Sequence, residues 1–172
     1  AAAGAVKFTV VSNCDWTVES NAPWCEVTPS GSGNGEITAT YSANTGLSQR
    51  TANITISADG VSQQVVTVIQ AGAAAILEVS PASHDVSAEA GAVKFTVVSN
   101  CNWTAQSDAP WCEVTPSGSG NGEITATYSE NTGLTQRTAN ITISADGVNK
   151  QVVTVIQAGA AAILGASPVS HD

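Results

Sequence analysis

Methionine is absent from this 172-residue chain, and charge is scarce. Charged residues make up 11% of the total, and only 5 are Lys or Arg. Phosphate recognition needs a basic patch. With a net charge of −9, the sequence excludes nucleic acid as a partner. Anionic membrane surfaces are disfavoured for the same reason. No run approaches the ~18 apolar residues of a membrane span, so no membrane insertion is expected. Ala1-Ala2-Ala3-Gly4 lacks the basic region of a secretion signal, so an exported protein would already have lost its leader. Aromatic residues are 5% of the chain and histidines number 2, which leaves little for a metal or cofactor site. No cofactor is expected.

What is present is a repeat. Gly4 through Cys14 recurs as Gly91 through Cys101, and Trp16, Trp24, Cys25 and Arg50 recur as Trp103, Trp111, Cys112 and Arg137. Residues 1–85 align on 88–172 without a gap, and about 12 of the 85 pairs differ. Most differences are polar or isosteric, such as Asp15 against Asn102 and Asn21 against Asp108. The segment Ile76 to Asp85 opens the second copy and returns as Ile163 to Asp172, whereas the first copy begins without it. The expected organisation is a first unit over 1–72 lacking its opening strand, an alanine linker over 73–75, and a complete unit over 76–159. Residues 160–172 then form a linker and an orphan opening strand.

Within each unit the apolar period is two, the signature of strands. Val93, Phe95 and Val97 alternate with polar neighbours, as do Ile124, Ala126 and Tyr128, and Ala139, Ile141 and Ile143. The run Gln151–Gln157 reads as a more buried strand. Gly-, Asn- and Asp-rich stretches separate the runs, and nothing reads as a helix of useful length. The expected fold is all-β: two tandem immunoglobulin-like antiparallel β-sandwiches, each of about seven short strands.

Cys14 and Cys25 stand eleven residues apart, and Cys101 and Cys112 repeat the spacing. Two equivalent pairs point to one disulfide per unit and an oxidising compartment. Such a bridge would contribute roughly 3 kcal/mol. The alternative is buried free thiols.

Ser99 to Thr104, Trp111, Pro116 to Gly122, Asn131 to Ile143 and Val155 to Gly159 form an ordered set of motifs, repeated from Ser12 to Gly72. This set resembles the BACON domain family. The resemblance covers nearly all of both units. It implies an immunoglobulin-like sandwich in exported proteins of Bacteroidota and their phages, often appended to carbohydrate-active enzymes, with glycan or mucin binding proposed. The cysteines depart from the family's usual pattern.

Trp16, Trp24, Trp103 and Trp111 are candidate faces for stacking on sugars, weighed against a role in a small core. The recurring carboxylates Glu26, Glu36 and Asp59, with Glu113, Glu123 and Asp146, form no acid–base motif, and catalysis is not expected. Asn53, Asn102 and Asn140 fit the N-x-[ST] glycosylation pattern. The remaining feature is the orphan segment, whose apolar positions are Ile163, Leu164, Ala166 and Val169. A sandwich lacking a strand exposes backbone groups that another chain's strand can pair. The expected function is structural: a subunit or segment of an extracellular or cell-surface fibre, joined to further copies of itself head-to-tail through this strand. A multivalent glycan-binding module is the alternative, gaining avidity from repetition.

Overall fold

The computed structural model describes residues 1–165. The chain forms two compact units, Ala1–Ala74 and Ala75–Asp172. All regular structure among the described residues is strand. The second unit shows the complete arrangement. Its strands are β8 (Leu77–Ser80), β9 (Ser83–Val86), β10 (Gly91–Ser99), β11 (Asn102–Ser107), β12 (Cys112–Val114), β13 (Ser117–Ser119), β14 (Gly122–Tyr128), β15 (Arg137–Ala145) and β16 (Gln151–Gln157). One sheet has the order β12-β14-β10-β8 and the other β13-β11-β15-β16-β9. In the first unit, β1 (Gly4–Val10), β2 (Asp15–Ser20), β3 (Cys25–Val27), β4 (Ser30–Ser32), β5 (Gly35–Tyr41), β6 (Arg50–Ser57) and β7 (Gln64–Gln70) repeat this plan. Its sheets are β1-β5-β3 and β4-β2-β6-β7. Both units are immunoglobulin-like β-sandwiches.

The alternation in sequence becomes alternation in burial. Phe95 and Val97 on β10, Ile124 and Ala126 on β14, and Ala139, Ile141 and Ile143 on β15 all point into the core. Their neighbours Lys94, Thr96, Glu123, Thr138 and Asn140 face water. β16 follows the same rule: Val153 and Val155 are buried while Val152 is exposed. Its continuous apolar run therefore does not mark burial on both faces, because an antiparallel sandwich sheet keeps one face solvated. The second unit has nine strands rather than about seven, because the opening segment splits in two and Ser117–Ser119 forms a short edge strand.

Local chemistry fixes the ends of these strands. Gly60 and Gly147 follow an aspartate and adopt φ of 73° and 77°, a left-handed conformation that glycine takes without a Cβ penalty. Trp103 is 3% exposed, and its indole Nε1–H donates to the Gly120 carbonyl at 3.0 Å. The ring lies against Gly118, where any Cβ would collide with it. Trp16 repeats the arrangement with Gly33 and Gly31. At the opposite end, the fully buried Gln157 amide donates to the Ala88, Glu89 and Ser129 carbonyls, and its Oε1 accepts from Arg137 Nε at 2.9 Å. These bonds satisfy a polar group whose burial would otherwise cost about 1–3 kcal/mol.

The opening segment of the second unit belongs to both sheets. β8 pairs antiparallel with β10, Leu77 opposite Ser99 and Ser80 opposite Thr96. The chain then crosses over at Ser80-Pro81, a cis peptide, and β9 pairs parallel with β16, Ser83 opposite Thr154 and Val86 opposite Gln157. Leu77 is buried, and Val79 and Val86 pack on the core. Truncating a buried phenylalanine costs about 3–5 kcal/mol. Phe95→Ala should therefore destabilise the second unit by that order in urea unfolding followed by tryptophan fluorescence. Phe8→Ala, at the half-buried equivalent in the isolated chain, should cost clearly less.

Candidate functional site: an open edge on the first unit

The first unit carries no counterpart of β8 and β9 among the described residues. β1 pairs with β5 alone and β7 with β6 alone, so one edge of each sheet is unpartnered there. Between these edges runs a groove. One part is lined by Val6, Phe8, Tyr41 and Val68, and the other by Val10, Cys14, Ile56 and Val66. The second unit supplies the internal control, because these eight residues are identical in the two copies. Phe95, Ile143 and Val153 are 0%, 0% and 2% exposed. Their equivalents Phe8, Ile56 and Val66 are all only half-buried. Cys101 is buried and Cys14 is not. What differs is the strand laid over them.

The register of the missing pairing follows from the repeat. β1 matches β5 as β10 matches β14, with Lys7 opposite Thr38 and Lys94 opposite Thr125. The positions equivalent to those that β8 and β9 pair with are Thr9 to Ser12, at the end of β1 and just beyond it, and Thr67 to Gln70 on β7. In the second unit the same edges are secured beyond the ladders. Asn100 Oδ1 accepts the Ile76 N–H at 2.8 Å, and Ser99 Oγ donates to the Ile76 carbonyl at 2.8 Å. Asn13 and Ser12 occupy the equivalent positions at the open groove.

The orphan segment is partly visible. Ile163 and Leu164 are 93% and 100% exposed. Ala166 and Val169 lie outside the described residues.

The disulfides expected from cysteine spacing are not formed: Cys14, Cys25, Cys101 and Cys112 are free thiols. Pairing geometry explains why. Cys25 lies opposite Tyr41 at one end of β5, whereas β1 ends at Val10 opposite Gly35, and Cys14 lies just beyond it. Six residue steps along a strand span about 20 Å, and a disulfide needs Cα atoms within about 7 Å. In the second unit Cys112 lies opposite Tyr128, and Cys101 lies beyond the far end of β14. β2 and β11 carry the chain from one end of the sandwich to the other, so eleven residues separate the cysteines rather than close a loop.

The four candidate stacking tryptophans divide into a buried pair and a half-buried pair. Trp16 and Trp103 are buried, with their N–H groups already engaged. Trp24 and Trp111 are half-buried, each with an arginine over its ring: Arg50 Cζ and Arg137 Cζ lie 4.2 Å from the ring centroids. The guanidinium groups are in turn anchored on the Ser42 and Ser129 carbonyls at 2.7 and 2.8 Å. Each stack joins a strand end to a loop and covers one face of its ring.

Asn53, Asn102 and Asn140 all face solvent. Asn140 is held by Asp108, whose Oδ1 accepts its backbone N–H and Oδ2 its side-chain N–H, both at 2.8 Å. These bonds hold the Asp108 carboxyl below its ordinary value of 3.8, the side-chain bond contributing most. Among the described residues no group of three or more His, Cys, Asp or Glu side chains could hold a metal ion. No helix among them is long and apolar enough to cross a membrane.

Two measurements follow. Under native conditions a thiol reagent should label Cys14 first, while Cys25, Cys101 and Cys112 react only on unfolding. Burial also pushes the Cys112 thiol up, which slows it further. Mass spectrometry after labelling in denaturant without reductant should count four modified cysteines. Separately, a carboxylate with a lowered folded pKa stabilises above its unfolded value and loses that contribution as pH falls through the folded one. Acid titration of unfolding below about pH 4 should therefore weaken the second unit at Asp108, and Asp108→Asn should remove this component. The first unit, with Asn21 there, lacks it.

A search of curated proteins finds no match. Among solved structures, the chain is similar to a Bacteroides ovatus GH5 xyloglucanase in complex with a XXXG heptasaccharide. That match has 23% identity and a TM-score of 0.47, covering 49% of this chain and 19% of that one. It is also similar to WR4, a C. elegans MSP family member, at 13% identity and a TM-score of 0.38, over 48% of this chain and 97% of that one. A protein from Bacteroides thetaiotaomicron matches at 14% identity and a TM-score of 0.34, over 46% and 77%. This chain thus spans about a fifth of the length of the xyloglucanase. The viral BACON domain profile matches residues 1–73 and again 76–160. On that double match, the chain belongs to the BACON family of non-catalytic domains, in its viral branch, twice over.

Proposed function

We propose that this chain is a structural subunit of an extracellular or cell-surface fibre or stalk. It is joined head-to-tail to further copies of itself, with Ile163–Asp172 of one copy completing the first sandwich of the next. The observation that supports this reading is the groove between β1 and β7, whose counterpart within the second unit is covered by Ile76–Val86. Eight of the ten residues that would matter most are shared or conservatively replaced between the filler and the orphan segment; Glu78 becomes Gly165 and Val79 becomes Ala166. Donor and acceptor lie on different units, so the contact is heterologous and propagates. Non-catalytic character agrees with the family. With the disulfides gone, the extracellular placement rests on the family resemblance rather than on cysteine usage.

A covalent array would put the same strand in the same groove, with the backbone continuous across the joint. Electron microscopy of the chain beside a truncation ending at Ala162 separates the two. Strand donation gives filaments from the intact chain and none from the truncation. In those filaments Cys14 should become as slow to label as Cys101. Monodisperse particles from both proteins, with Cys14 equally reactive, would overturn donation between copies.

A further inference from the structure

In the second unit one side chain of the opening segment bridges the two sheets. β8 leaves its sheet after Ser80, opposite Thr96. Two residues further along β10, the Lys94 carbonyl has no β8 residue to pair with. The His84 side chain, arriving from β9 in the other sheet, fills that position: its Nε2 lies 2.9 Å from the Lys94 carbonyl oxygen. A carbonyl only accepts, so Nε2 carries the proton. The same imidazole meets the Phe95 ring edge-on, with centroids 4.9 Å apart and planes at 68°. His84 thus spans the gap between the sheets. It replaces a missing ladder bond and covers the largest fully buried aromatic ring of the unit.

The first unit holds the matching half of this contact. Lys7 stands at the Lys94 position of β1, in the same register, and Phe8 at the Phe95 position. Phe8 is half-buried and lines a cavity of about 400 Å3 with Val6, Tyr41 and Val68. We propose that this cavity is a binding site for an imidazole presented on an incoming strand, and that His171 of a second copy is its occupant. The proposal rests on strand donation. It adds the residue that sets specificity: any apolar strand can cover the edge of β1, but only a side chain with both a ring edge and an N–H completes the site. In the repeat, His171 falls at the His84 position, followed by Asp172 at that of Asp85.

The test uses the full-length chain and compares the concentration at which assembly begins, by light scattering, with Cys14 labelling as a second readout. His171→Ala should raise that concentration roughly tenfold or more, as expected for losing an aromatic contact and a hydrogen bond. His171→Phe keeps the ring edge without the N–H and should fall between the two. Ser170→Ala, at the exposed Ser83 position, should behave as wild type. If wild type assembles and His171→Ala assembles equally well, the imidazole site is overturned while strand donation stands. If His171→Phe matches wild type, the bond to the Lys7 carbonyl is overturned. Failure of wild type itself to assemble would refute donation, and this site with it.

Discussion

A backbone N–H or C=O at a sheet edge must find a partner, and a two-sheet sandwich has edges on both sheets. In the second unit one segment of ten residues closes an edge of each. It pairs antiparallel on one sheet, crosses, and pairs parallel on the other. Burial along that side follows from this crossing. Phe95, Ile143 and Val153 lie in the core because β8 and β9 lie over them, and the same side chains in the first unit reach the surface. The two units share most of their sequence, so the difference in burial follows from one segment, compared within one chain.

The rest of each sandwich is self-sufficient. Trp16 and Trp103 press on glycines at one end, and Gln70 and Gln157 gather carbonyls at the other. Arg50 and Arg137 tie the half-buried tryptophans to neighbouring loops. The Gln70 amide binds the Ala2 carbonyl, so the start of β1 is anchored without the opening segment. The first unit can thus keep its two sheets in register while its groove stays open. The strand donation proposed above requires this property.

Much of this was legible in the residues. Period-two alternation placed the inward faces of β10, β14 and β15, because a half-solvated sheet imposes that period on its sequence. The 87-residue repeat exposed the unmatched opening segment. The cysteines were misleading because spacing in sequence says nothing about direction: a strand between them carries the chain away. The arginine–tryptophan stacks were hidden because Arg50 is remote from Trp24 in sequence and meets it only through strand pairing. His84 was equally silent. A lone histidine in a joining segment gives no signal until the fold shows it between a carbonyl and a ring.

The mixed pairing of the opening segment has a further consequence. Because β8 must run against β10 and β9 along β16, the segment fits its groove in a single direction. The head-to-tail assembly proposed above would therefore have polarity. In that assembly one end would present an open groove and the other a donor segment, so the two could be capped, tethered or lengthened by different chemistry. A surface that anchors one of them would leave every molecule pointing the same way.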